Sequence, residues 1–122
     1  MTARTVLVVD DHRGFRMTAR RLLERDGWTV VGEAVDGLSG LAAAAALAPD
    51  VVLLDIGLPD VDGFEVAEHL ARSADPPSIV LISSRDREAY GERVRRSRVT
   101  GFLSKDELDG ATLRSLVSAG GS

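Results

Sequence analysis

The chain has 122 residues, 44% of them apolar and 28% charged, which is one domain's worth and enough to bury about two thirds of its unfolded surface. Cysteine is absent, the apolar runs fall far short of the roughly 20 residues a bilayer span needs, and no secretory core follows Met1, so a reducing, cytoplasmic setting without a membrane anchor is expected. A net charge of −4 argues against nucleic-acid binding by these residues, yet the charge is uneven: residues 85–98 hold six arginines against three acids.

Residues 5–9, TVLVV, form an apolar run closed by Asp10 and Asp11, which reads as a buried strand ending in acid. From 13 to 26, Phe15, Ala19, Leu22 and Leu23 fall at helical spacing, with Arg13, Arg16, Arg20 and Arg21 turned outward, and Gly27 ends the helix. That arginine face is either solvated or a docking surface. Residues 28–34 make a second strand, and Asp36-Gly37 opens a helix through Leu38, Leu41 and the alanines 42–46. Pro49-Asp50 leads into Val51, Val52, Leu53 and Leu54, four apolar residues without alternation, the habit of a strand buried on both faces.

Asp55 stands where that third strand stops. Chemistry in open parallel sheets gathers at the carboxyl ends of strands, so Asp55 is a site candidate, although Asp also simply ends strands at turns. Gly57, Pro59 and Asp62-Gly63 turn the chain toward a helix carrying Phe64, Ala67, Leu70 and Ala71, which Pro76-Pro77 stops. Residues 78–82 are a fourth strand ending at Ser83-Ser84. Residues 86–98 offer only Ala89, Tyr90 and Val94 at core spacing, a weakly anchored helix. Residues 101–103 form a short fifth strand before Ser104-Lys105, and Leu108, Leu113, Leu116 and Val117 supply the last helix. Five strands alternating with five helices, joined by right-handed crossovers, predict an α/β fold: a (βα)5 doubly wound, five-stranded parallel sheet.

Stacking the strand ends brings Asp10, Asp11, Asp55, Ser83 and Lys105 to one edge. Three crowded carboxylates raise one another's pKa unless a cation is present, and an all-oxygen cluster suits Mg²⁺. A metal beside Asp55, a hydroxyl from Ser83 and an ammonium from Lys105 would cradle a phosphoryl group, whose transfer is mostly positioning and charge neutralisation. Lys105 is the only lysine beside fourteen arginines, and a compact ammonium serves where a planar fork does not; chance retention is the alternative. His12 and His69 have no second His or Cys at ligand spacing and are read as loop and surface residues.

The segments VLVVDDH, LLDIGLPDVDGFEV, VLISS and GFLSK, in this order, resemble the receiver domains of two-component response regulators, with motifs most similar to regulators carrying a LuxR- or NarL-type helix-turn-helix output domain. The resemblance covers almost the whole chain and implies the flavodoxin-like strand order 2-1-3-4-5. It implies that Asp55 is the phosphoacceptor, Asp11 a direct Mg²⁺ ligand, Asp10 a ligand through water, and Gly57 a donor of a backbone carbonyl to the metal. It further implies that Ser83 and Lys105 hold the phosphoryl group and that Phe102 is the switch aromatic. Phosphorylation by the phosphohistidine of a sensor histidine kinase or phosphotransfer protein would then shift a surface made by the fourth helix, fifth strand and fifth helix. That surface would control a downstream protein, an output domain or a homodimer formed on phosphorylation, and its arginine-rich segment is either a contact for such partners or a plain exposed helix.

Several positions depart from the family pattern. Ser84 stands where Ala or Gly is usual, and Lys105 is followed by Asp106 rather than Pro. Gly57 lacks a screening side chain, while Arg85 stands near Ser83, so Gly57, Ser84 and Arg85 are expected to modulate the lifetime of the acyl phosphate. A haloacid-dehalogenase-like phosphatase would want a second Asp where Gly57 stands. A pseudo-receiver that only binds, and the front half of a helix-turn-helix transcription factor with SAGGS as linker stub, are the other readings; the expectation is a receiver over residues 1–122 with no output domain among them.

Overall fold

The computed structural model describes residues 4–84 and 90–120, the side chains of the last two excepted. Five strands and five helices alternate as expected: β1 (Thr5–Val9), α1 (Arg13–Arg25), β2 (Thr29–Ala34), α2 (Gly37–Leu47), β3 (Val51–Asp55), α3 (Gly63–Ala71), β4 (Ser78–Ser83), α4 (Gly91–Arg96), β5 (Gly101–Ser104) and α5 (Gly110–Gly120). All strand pairs are parallel, and the order is β2-β1-β3-β4-β5. This is the CheY-like flavodoxin fold.

Strand periodicity divides the interior in two. Val6, Val8, Val51, Leu53, Val80 and Ile82 face Ala19 and Leu23 of α1 and Leu113 and Val117 of α5. Their alternates Leu7, Val9, Val52, Leu54, Ile79 and Leu81 face Ala44 of α2, the apolar side of α3 and Val94 of α4. The central strand β3 is therefore covered on both faces, and all five of its residues are buried, which explains its unbroken apolar sequence.

Helix ends follow local chemistry. Gly27 takes φ +96°, which lets Trp28 N–H donate to Leu23 O at 3.0 Å and Gly27 N–H donate to Glu24 O at 3.2 Å, closing α1 in a Schellman motif. At α2, the Asp36 carboxylate accepts from Ser39 N–H at 2.8 Å, and Ala48 ends the helix in the left-handed region at φ 46°.

Some details differ from the sequence reading. Leu38, one of the apolar residues that the sequence places in α2, is 64% exposed. Strand β2 starts at Thr29, with Trp28 buried just before it. Among the described residues helix α4 spans Gly91–Arg96, with Tyr90 at its N-cap and Val94 as its buried residue. Ala89 and Arg85 lie outside the described residues. The Lys105–Asp106 peptide is trans.

Candidate functional site

Register builds the site. Val9 pairs with Leu54 and Asp55 with Ile82, so Asp10, one step past Val9, comes level with Asp55 on the neighbouring strand. Ser83 pairs with Ser104, which puts Lys105 one step beyond on the far side of Asp55. Asp10, Asp55 and Ser83 are the three buried polar side chains among the described residues. This edge of the sheet therefore concentrates the buried polar side chains of the interior.

Lys105 opens a short 3-10 turn, Lys105–Glu107, whose start is fixed by a Ser104 and Glu107 capping box. Its ammonium lies 2.7 Å from Asp10 Oδ2 and 3.7 Å from Asp55 Oδ2, above the Phe15 ring at 4.7 Å from the centroid. The contact with Asp10 Oδ2 is Coulombic and not aligned as a hydrogen bond. That buried oxygen therefore has no hydrogen-bond donor among the described residues. Its partner Oδ1 accepts from His12 N–H at 2.7 Å.

Asp55 Oδ1 accepts from Gly57 N–H at 3.2 Å. Burial first, and then the charge of Asp10, hold the Asp55 carboxyl above the usual carboxylate range; Lys105 and the Gly57 N–H pull it down, and Asp11 pushes it up again. The cost of keeping these acids ionised side by side calls for a cation. Oxygens of Asp10, Asp11 and Asp55 gather within 4.8 Å of one another, with Asp11 on the exposed side where waters would complete a shell. The buried Asp10 oxygen that no hydrogen-bond donor reaches and the three hard carboxylates fit Mg²⁺.

Gly57 is exposed, and a Cβ there would stand 4.0 Å from Asp55 Oδ1 with nothing nearer, so the approach to the carboxylate is open on that side. Ser84 is exposed beside Ser83, and Arg85 lies outside the described residues. Phe102 is half-buried on the α3 and α4 side of the sheet, 6.4 Å from the Tyr90 ring, which lies 6.2 Å from Phe64.

Three residues near the site escaped the sequence reading. His12 is a surface loop residue as expected, its side chain 65% exposed, yet its Nδ1 sits 3.0 Å from Asp10 Oδ1 and 3.1 Å from Asp11 Oδ1. Its adjacency to the acid pair was the available signal. Phe15, at core spacing on α1, packs against the core and also carries the lysine. Gly63 was read as a turn, but a Cβ there would meet Asp55 O at 2.6 Å and Ile56 Cα at 2.7 Å, so only glycine lets α3 start against the back of the Asp55 loop.

The arginine face of α1 is also different from expectation. Arg16 and Arg20 do not project freely: both bind Glu33 of β2, at 3.0 and 2.9 Å, and Arg16 Nη1 also donates to the Asp10 carbonyl at 2.7 Å. Arg13 and Arg21 remain exposed.

Residues 6–118 match the family model described as the response regulator receiver domain. The response regulator GacA of Pseudomonas viridiflava is 36% identical over 115 residues, covering 93% of this chain and 52% of GacA. The virulence transcription regulator BvgA of Bordetella pertussis is 35% identical over 102 residues, 84% of this chain and 49% of BvgA. The chain thus spans about half the length of these relatives. The signal receiver domain of the response regulator NarL from Mycobacterium tuberculosis superposes with a TM-score of 0.86 at 32% identity, covering 100% of this chain and 99% of that one. The response regulator domain of Thermotoga maritima CheB gives 0.83 at 25% identity, covering 98% of each chain. On the extent of that match and these identities, the chain belongs to the response regulator receiver domain family.

Proposed function

We propose that this receiver works by accepting a phosphoryl group on Asp55 from the phosphohistidine of a sensor kinase or phosphotransfer protein in the cytoplasm. One Asp55 carboxylate oxygen forms a bond to phosphorus as the phosphorus–nitrogen bond of the donor breaks, and the imidazole leaves with its electron pair and takes a proton. Mg²⁺ held by Asp10, Asp11, Asp55 and the Gly57 carbonyl would neutralise the charge that gathers on the phosphoryl oxygens. Lys105 would supply a second positive charge, and Ser83 a hydroxyl at the end of the next strand. The observation that carries this reading is the pairing of a buried Asp55 with a buried Asp10 under the only lysine of the chain.

The added charge, near −2, changes what Ser83 and Lys105 face, and Phe102 is the neighbouring aromatic that would repack. The surface of α4, β5 and α5 would then present the signal to an output domain or a separate protein. A transcriptional output is supported by the relative BvgA, described as a transcription regulator. Incubation with acetyl phosphate and Mg²⁺, followed by intact mass, should show one phosphoryl group on the wild-type chain and none on Asp55→Asn. No gain in the wild type, or the same gain in the variant, refutes the proposal.

A further inference from the structure

We propose that His12 is a side-chain ligand of the divalent site, so that its imidazole, and not the carboxylates, sets how strongly the site prefers a borderline transition ion such as Ni²⁺ over Mg²⁺. This rests on the reading that Asp10, Asp11 and Asp55 hold a divalent cation.

Donors on adjacent vertices of a metal sphere with bonds of about 2.1 Å stand about 3 Å apart. The His12 Nδ1 stands 3.0 Å from Asp10 Oδ1 and 3.1 Å from Asp11 Oδ1, and the ligating atoms of all four side chains lie within 4.8 Å of one another. A second observation points into the same space: Asp10 Oδ2 is buried without a hydrogen-bond donor, and Lys105 is drawn to within 2.7 Å of it. That ammonium is also 3.4 Å from the His12 Nδ1, so the ring and the acids already surround one cation. The ring, 3.0 Å from Asp10 Oδ1, is not alone in holding Asp10 in place. The main-chain N–H of His12 does that at 2.7 Å and survives any substitution of the side chain.

Imidazole nitrogen favours Ni²⁺, Zn²⁺ and Cu²⁺, whereas Mg²⁺ prefers oxygen and keeps its waters. His12 therefore discriminates among metals. The tautomer required carries its proton on Nε2 and leaves Nδ1 free to bind.

Isothermal titration of the untagged full chain with NiCl2 and with MgCl2 tests this. His12→Phe is expected to weaken Ni²⁺ binding about tenfold or more while Mg²⁺ binding changes by less than about twofold, and His12→Gln to behave likewise. His69→Ala, which removes the other histidine from the exposed face of α3, is expected to leave both unchanged. Unchanged Ni²⁺ affinity in both His12 variants while Mg²⁺ still binds overturns the role of His12 and leaves the metal site intact. An equal loss for both ions shows a structural role and overturns it too. If the wild type binds neither ion, the site reading and this inference fail together.

Discussion

Lys105→Met removes the positive charge nearest the two buried acids and keeps most of the side chain's bulk. At 2.7 and 3.7 Å, with an effective dielectric of about 20, the gross attractions to Asp10 and Asp55 are about 6 and about 4 to 5 kcal/mol. The lysine side chain is only 16% exposed, so its desolvation takes back several kcal/mol, and water reaches the cluster past Asp11. We therefore expect the metal-free variant to be about 2 to 3 kcal/mol less stable at pH 7. Magnesium at about 100 times its dissociation constant stabilises a binding protein by about 2.7 kcal/mol, and in the variant it no longer competes with an ammonium. Its stabilising effect should then be larger in Lys105→Met than in wild type. Urea unfolding followed by the fluorescence of Trp28, the only tryptophan, measures both quantities, since its indole is 3% exposed and donates to Gly110 O at 3.1 Å. A loss below about 0.5 kcal/mol, or a Mg²⁺ gain no greater than in wild type, would falsify the electrostatic account.

The raised Asp55 carboxyl means that the folded, metal-free chain binds more protons there than the unfolded chain. Stability from this group is present below the ordinary carboxylate range and is lost as pH rises through the raised value, so Asp55→Asn should stabilise the metal-free chain at pH 7 and lose that advantage in acid; a variant no more stable at pH 7 contradicts it. Gly63→Ala drives a methyl into the Asp55 carbonyl and Ile56 backbone and should cost about 1 to 3 kcal/mol in urea unfolding while slowing phosphoryl uptake; wild-type values for both would show the loop yields freely. Gly57→Asn places an amide in the open approach to Asp55 and should slow loss of the phosphoryl group in a time course of intact mass; an unchanged rate removes Gly57 from the lifetime argument.

The apolar runs disclosed the sheet because parallel strands covered on both faces need unbroken aliphatics, and the acids at their ends stood out against that background. Asp10, Asp55 and Lys105 were legible for this reason. Long-range side-chain geometry was not. That Arg16 and Arg20 turn to Glu33, which lies across a strand pair, follows from the β1 and β2 register and from no local pattern. The demand for glycine at 63 is a backbone-to-backbone contact that composition does not encode.

Strand β3 occupies the middle of the sheet, clamped by neighbours on both sides and layers above and below, whereas β5 is a four-residue margin paired on one side only. A disturbance delivered to Asp55 meets stiff surroundings in nearly every direction. Packing is thinner toward the β5 margin, where Tyr90 and Phe102 are half-buried and α4 buries Val94 alone among its described residues. The proposed signal from Asp55 would then surface along the β5 margin, and that is where a partner would have to stand.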